Sequence, residues 1–167
     1  MTRILEETTA QPEFRKRSVK GVRLFVRDSL IDVITDHADE GLLNDSEIMG
    51  LIVGKVYVDD EGEYAVATGS ISSGLDADET SVRFDQNDMS QLIDAIDELR
   101  EGDRIIGWYH SHLGCGCFMS DVDIATQNGL FGGKLGFAMV IDPAQCQLKV
   151  FDSTLDDPQP AQMIIME

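Results

Sequence analysis

Within Gly107–Gln127 (GWYHSHLGCGCFMSDVDIATQ), His110 and His112 stand two residues apart, and Ser120 and Asp123 follow after seven further residues. Two imidazoles and a carboxylate are three protein ligands of the kind zinc takes, and three ligands leave a fourth position for water. Water held there can lose a proton near neutral pH, so this segment alone points to a hydrolase. Arg104–Tyr109 reads as a short strand, and residues two apart at a strand end project to one face, so both imidazoles can reach one ion. Ser120 reads as the cap of a helix of about ten residues running towards Leu130. Asp123 then falls in its first turn, where free amides and the helix dipole favour a carboxylate. A plainer account exists for each half: Ser120 with Asp123 is a variant capping box, and the histidines are ordinary polar residues at a strand end. Their combination on strand–loop–helix punctuation favours the metal site.

Other elements must carry this segment. Val19–Val26 alternates, with Val22, Leu24 and Val26 on one face of a strand. Asp28 reads as the cap of a helix that buries Leu30, Val33, Ile34 and Ala38 and stops at Gly41. His37, near its end, suits packing or dipole capping. Glu47–Val58 is β-like and apolar to Val53, which predicts a central strand, and Tyr64–Ile71 forms the next one after the Asp59–Gly62 turn. Ser72–Thr80 is a polar surface insertion. Asn87–Arg100 has helical spacing with Met89, Leu92, Ile93, Ile96 and Leu99 buried. Gly114–Met119 is a loop, Gly136–Ile141 and Gln147–Phe151 are strands around a turn at Asp142-Pro143, and Gln162–Glu167 is a final edge strand. Residues 1–14 read as a flexible tail, and 15–167 as one domain. The class is α/β (α+β): a single domain with one mixed sheet flanked by helices.

With 167 residues and 43% hydrophobic composition, the chain has enough apolar material for a single core. Its apolar runs are too short for a membrane span, and MTRILEETTA has no apolar signal core, so a cytoplasmic protein is expected. The balance of 31 acidic against 13 basic residues, a net charge of −18, repels phosphate backbones and argues against nucleic acid as a partner. Acidity spread along the whole chain also suits high salt, where screening relieves self-repulsion. Arg15–Arg27 is locally basic, as a solvated strand edge would be. Three cysteines, Cys115, Cys117 and Cys146, show no disulfide-framework spacing.

The run His-x-His-x7-Ser-x2-Asp resembles the signature of the JAMM (MPN+) zinc metalloproteases. GWYHSH, GCGCFMS, DIATQ and VIDP are most similar to the branches containing the proteasome-lid deubiquitinase and the COP9 signalosome deneddylase. The family also has an upstream glutamate opening Glu-x-x-Gly-Leu-x-x-Gly, matched by Glu47 in EIMGLIVG. The resemblance implies a JAMM/MPN, cytidine-deaminase-like fold and one zinc ion held by His110, His112 and Asp123. It makes Glu47 the general acid/base and Ser120 the support of the oxyanion. Amide hydrolysis asks for those roles: the attacking water loses a proton, and the amine leaving group gains one. The residue after the second histidine is usually proline in the family and is Leu113 here, which implies a looser loop with the ligands retained. Cys115 and Cys117 with the two histidines would make a closed structural zinc site, but that leaves Ser120, Asp123 and Glu47 unexplained.

Relatives cleave the amide bond after the Gly-Gly tail of ubiquitin or ubiquitin-like modifiers. The resemblance therefore implies such conjugates as partners, with association with a proteasome and with no membrane partner. The tail is expected along Ser70–Arg83 by strand addition, and near Trp108, which could equally be a core aromatic. The chain ends soon after its last expected strand. With its acidity, that suggests a compact archaeal isopeptidase of the desampylase type. A JAMM protease that processes a sulfur-carrier protein is the alternative, and a non-catalytic MPN scaffold is the reading from another class.

Overall fold

The chain runs β1 (Leu24–Arg27), α1 (Asp28–Leu43), β2 (Met49–Asp59), β3 (Gly62–Ile71), β4 (Arg104–Ser111), α2 (Asp121–Phe131), β5 (Phe137–Asp142), β6 (Gln147–Asp152), β7 (Gln159–Ala161) and β8 (Met163–Met166). This is a computed structural model, and it describes residues 22–72, 99, 102–131, 134–152 and 159–167. The expected N-terminal tail, the insertion beyond Ser72 and, apart from Leu99, the Asn87–Arg100 helix lie outside the described residues. The eight strands form one mixed sheet in the order β7-β6-β5-β4-β2-β3-β1-β8. β1 runs parallel to β3 and β8, and β4 parallel to β5; the other pairings are antiparallel. Only Gln162 separates β7 from β8 at the opposite edge, so the sheet must curl until its two edges approach.

α1 packs one face against this sheet. Leu30, Ile34, Ala38 and Gly41 line the buried stripe of this helix. They pack on Leu24, Val26, Ile52, Ile106, Tyr109, Phe137 and Met139. On the opposite face, Met49, Leu51, Trp108, Ala138 and Val140 form a second cluster with Phe131 of α2. A β-bulge lets β4 serve both cores. Gly107 pairs with Ile52 but Ile105 with Val53, so Ile106 is an extra residue that joins Tyr109 on the α1 side. Among the described residues, no helix is long and apolar enough to cross a membrane.

Several sequence expectations shift. Val33 is 53% exposed, because the helix turns its stripe through Leu30 and Ile34 instead. The helix is capped at Arg27, not Asp28; the Asp28 carboxylate accepts the Ser29 amide within the first turn. Gly41 does not end α1. The helix runs on to Leu43 and stops at Asn44 and Asp45, where the Asp45 amide reaches the Leu42 carbonyl and the Ser46 amide the Gly41 carbonyl. This is a Schellman closure with Asp45 at φ 52 in the place glycine usually takes. Gly41 is needed for another reason: a Cβ there would stand 2.6 Å from Ile48 Cγ2 and 2.7 Å from the Ser46 carbonyl oxygen. The helix end can therefore press directly on the segment entering β2. β1 starts at Leu24, and its faces divide, with Leu24 and Val26 towards α1 and Phe25 packed with Tyr57 and Tyr64. β7 has no sequence signature, since three residues are too few to show alternation.

Arg23 is not a solvated edge residue. Its guanidinium donates to the carbonyls of Gly62 (2.6 Å) and Glu63 (2.8 Å) and to Asp59 Oδ1 (3.1 Å), clamping the β2–β3 turn. Burial pushes the Asp59 carboxyl up, but the bonds from Arg23 and the turn amides outweigh it and leave its pKa lowered. Replacing Arg23 with Ala should destabilise the chain by about 1–2 kcal/mol in urea unfolding. Because the folded pKa of Asp59 is depressed, the ion-pair share is present above the unfolded Asp pKa and is lost as pH falls through the folded value. The gap between wild type and variant should accordingly narrow in acid.

Candidate metal centre

β4 ends where the site begins. His110 shares a face with Trp108, and the two rings stack with centroids 4.5 Å apart. The Trp108 indole N–H in turn donates to the Gln127 side-chain carbonyl on α2. His112 lies just past the strand, held to β5 by its amide on the Ile141 carbonyl (2.9 Å). Its Nδ1 is 2.7 Å from the Gly116 carbonyl, an acceptor only, so Nδ1 carries a proton and, in the neutral ring, Nε2 holds the lone pair. Ser120 and Asp123 form the capping box: Ser120 Oγ accepts the Asp123 amide (3.2 Å) and Asp123 Oδ2 accepts the Ser120 amide (2.9 Å). That same Oδ2 lies 3.0 Å from His110 Nε2 and 3.4 Å from His112 Nε2.

The three side chains are almost dry: His110 is 0%, Asp123 4% and His112 5% exposed. One ligand atom from each falls within 4.8 Å of the others. Burial would raise the Asp123 pKa, but the two imidazoles and the Ser120 amide hold it far below the usual carboxylate range. Burial lowers His110, against the pull of Asp123. Burial also pulls His112 down, yet Asp123, the Gly116 carbonyl and Glu47 together leave its pKa raised. His110 Nδ1 is buried with no hydrogen-bond partner among the described residues, and Nε2 meets only Asp123 Oδ2, in a contact that is not a well-aligned hydrogen bond. An unsatisfied imidazole nitrogen beside a second imidazole and an ionised carboxylate is the donor set a zinc ion fits.

Glu47 reaches this centre from far along the chain. Ile48 is locked to Ser111, whose hydroxyl accepts the Ile48 amide (2.9 Å) and whose amide reaches the Ile48 carbonyl (3.0 Å). Antiparallel pairing of Met49 with His110 then sets the half-buried Glu47 beside the ligand end of β4. Burial raises its pKa, the Asp123 charge adds to this, and His112 opposes it.

Of the expected site residues, His110, His112, Ser120 and Asp123 are brought together, and Glu47 is within the electrostatic reach of the centre. Cys117 is buried in the α2-side core with its pKa raised by burial, and Cys115 and Cys146 are exposed. Among the described residues the metal-ligand cluster contains no cysteine, so the closed Cys2His2 arrangement is not formed. His37 Nδ1 bonds the Tyr109 hydroxyl (2.8 Å), a packing role as expected. Trp108 is 0% exposed, so it belongs to the core beneath His110 and not to a surface groove. Ser111, Gln127 and Asp142 were missed. Ser111 carries a weak signal, as the residue between the two histidines that must point to the other face.

The family model described as JAB1/Mov34/MPN/PAD-1 ubiquitin protease matches residues 20–130. The COP9 signalosome complex subunit 5 of Aspergillus fumigatus is 32% identical over 123 residues, covering 71% of this chain and 35% of that protein. The 26S proteasome regulatory subunit rpn11 of Schizosaccharomyces pombe is 33% identical over 103 residues, covering 59% of this chain and 32% of that protein. The chain thus spans about a third of the length of these curated relatives. A solution structure of a protein from Desulfitobacterium hafniense superposes with a TM-score of 0.65 at 18% identity, over 86% of this chain and 93% of the other, which shows the shared fold.

Removing the Ser111 hydroxyl leaves the buried Ile48 amide without its acceptor. Ser111→Ala should cost about 1–3 kcal/mol in denaturant unfolding. Replacing either Ser46 or Asn44, whose bonds are exposed, should cost far less.

Proposed function

Because this chain belongs to the JAB1/Mov34/MPN/PAD-1 family, we propose that it is a zinc-dependent isopeptidase acting after the Gly-Gly tail of ubiquitin or a ubiquitin-like modifier. The observation that carries this reading is the dry His110–His112–Asp123 cluster with Glu47, a carboxyl of raised pKa, beside it. His110, His112 and Asp123 would hold the metal. When bound, zinc supplies Lewis acidity that acidifies water and polarises a carbonyl.

The remaining steps belong to side chains of this protein. Glu47 takes the proton of the attacking water and returns it to the departing lysine amine, for which a raised carboxyl pKa is suited. Ser120 Oγ accepts the Asp123 amide, which leaves its own proton free to donate to the developing oxyanion. The Gly-Gly tail lies extended along Ser70–Arg83, of which Ser70–Ser72 are described. Along β3, β1 reaches only Ala65–Ala67, so among the described residues no strand covers that edge of β3 beyond Ala67, as strand addition requires. The acidic composition fits an isopeptidase of the desampylase type acting on a small ubiquitin-like modifier, with its conjugates and a proteasome as partners in the cytoplasm.

Glu47→Gln should lower cleavage of a lysine-linked modifier conjugate by about 10²–10⁴-fold while zinc content and thermal melting stay at wild-type values. His110→Ala should lose the metal as well as the activity, as measured by elemental analysis and a gel-based cleavage assay. Linear fusions run in parallel distinguish isopeptide from peptide cleavage. Full activity in Glu47→Gln, or in a chelated preparation, would overturn the reading.

A further inference from the structure

Asp142 ends β5, beside the Ile141 carbonyl that holds the His112 amide. Its carboxylate is fully buried, and its charge is met by three backbone amides. Oδ2 accepts the Gly116 amide at 2.7 Å and the Gly114 amide at 3.0 Å. Oδ1 accepts Gly114 at 3.1 Å and Gln145 at 3.2 Å. Only the last of these is local; the others reach across 26 and 28 residues to the loop between His112 and Ser120. The Gln145 side-chain amide fastens the same loop from outside, donating to the Gly114 carbonyl at 2.5 Å.

Gly116 is the link. It gives its amide to Asp142 and its carbonyl to His112 Nδ1. Gly114 and Gly116 take φ of +106° and +91°, a backbone that other residues rarely adopt. A loop of two such glycines has no conformation of its own to prefer, so the carboxylate must choose one. An acid suits this place because both oxygens only accept, whereas an asparagine would turn a donor towards one of the amides. His110 is held quite differently, by the stack on Trp108, and its Nδ1 has no hydrogen bond among the described residues.

We propose that Asp142 is a positioning residue of the metal centre: through Gly116 it fixes His112 with the proton on Nδ1 and Nε2 free for the metal. This rests on the reading of His110, His112 and Asp123 as zinc ligands. Partners that orient a ligating imidazole from behind typically change metal affinity by about 10–100-fold when removed. A residue that merely formed the Asp142–Gln145 turn would affect stability and leave the imidazole alone.

The test uses the full chain and Asp142→Asn, with Gly116→Ala as a second variant that disturbs the carbonyl and keeps the acid. Zinc affinity is read by chelator competition. The His112 tautomer is read by nitrogen–proton NMR of the metal-free chain at alkaline pH, where the ring is neutral. Folded Asp142→Asn should bind zinc about 10–100-fold more weakly. Its His112 should lose the pure Nδ1–H tautomer, and kcat should fall with KM little changed. Wild-type zinc affinity together with a wild-type tautomer in that variant would overturn the proposal. If Asp142→Asn does not melt cooperatively, the same two measurements on Gly116→Ala decide. An inactive wild type would overturn the isopeptidase reading, while affinity and tautomer would still judge Asp142.

Discussion

Two imidazoles and a carboxylate buried together are the constraint on which this structure turns. Burying an unpaired polar group costs several kcal/mol, and a charge costs more. The fold meets most of that cost with short, local devices. The Ser120 amide and both histidines surround Asp123 Oδ2. The Gly116 carbonyl takes the His112 proton. His110 Nδ1 keeps no hydrogen bond among the described residues, and its Nε2 has only the close contact with Asp123. Among the described residues the unmet demand is thus gathered at His110 and, beneath it, Gln127 Nε2, and a metal ion could meet it at His110. That is the physical sense in which this cluster could hold an ion.

The sheet order explains how the parts converge. β4 and β5 are parallel neighbours, so His112 and Asp142 emerge at the same end. β2 runs antiparallel to β4, so its beginning, and Glu47 just before it, meets the end of β4. The first turn of α2 closes over the same rim and delivers Asp123. Segments from β2, β4, α2 and β5 thereby meet at one end of the sheet's central strands. The bulge at Ile106 keeps this compatible with a two-sided core: Tyr109 faces α1, while Trp108 and His110 face α2.

How much of this could be read from the sequence depends on how far each interaction reaches. His110, His112, Ser120 and Asp123 lie within fourteen residues on strand, loop and helix, so periodicity and capping chemistry place them. Glu47 is different. The contact that sets it in place, Ile48 with Ser111, spans 63 residues, and spacing alone could not prefer Glu47 over Glu40. Only its match to a family motif singled it out. The end of α1 was misplaced because Asp45, not a glycine, adopts the left-handed turn, and Gly41 serves contact with Ile48. Trp108 was open between groove and core, since an aromatic beside a catalytic motif reads the same either way. Asp142 looked like an ordinary Asp-Pro turn, because its longer-range bonds leave no local trace.

The residue after the second histidine shows why such long-range bonds matter. A proline there would stiffen the loop by fixing one φ, and Leu113 gives up that constraint. A looser loop was the natural expectation, yet order does not have to come from residue 113. The Asp142 carboxylate and the Gln145 side chain hold Gly114 and Gly116 from outside, on either side of the exposed Cys115. A restraint made by hydrogen bonds to two glycines acts directly on the carbonyl that orients His112, whereas a proline acts three residues upstream. The placement of His112 therefore depends less on the identity of residue 113 than on the acceptor at 142. On this account the loop sequence can vary as long as that acceptor and the two glycines stay together.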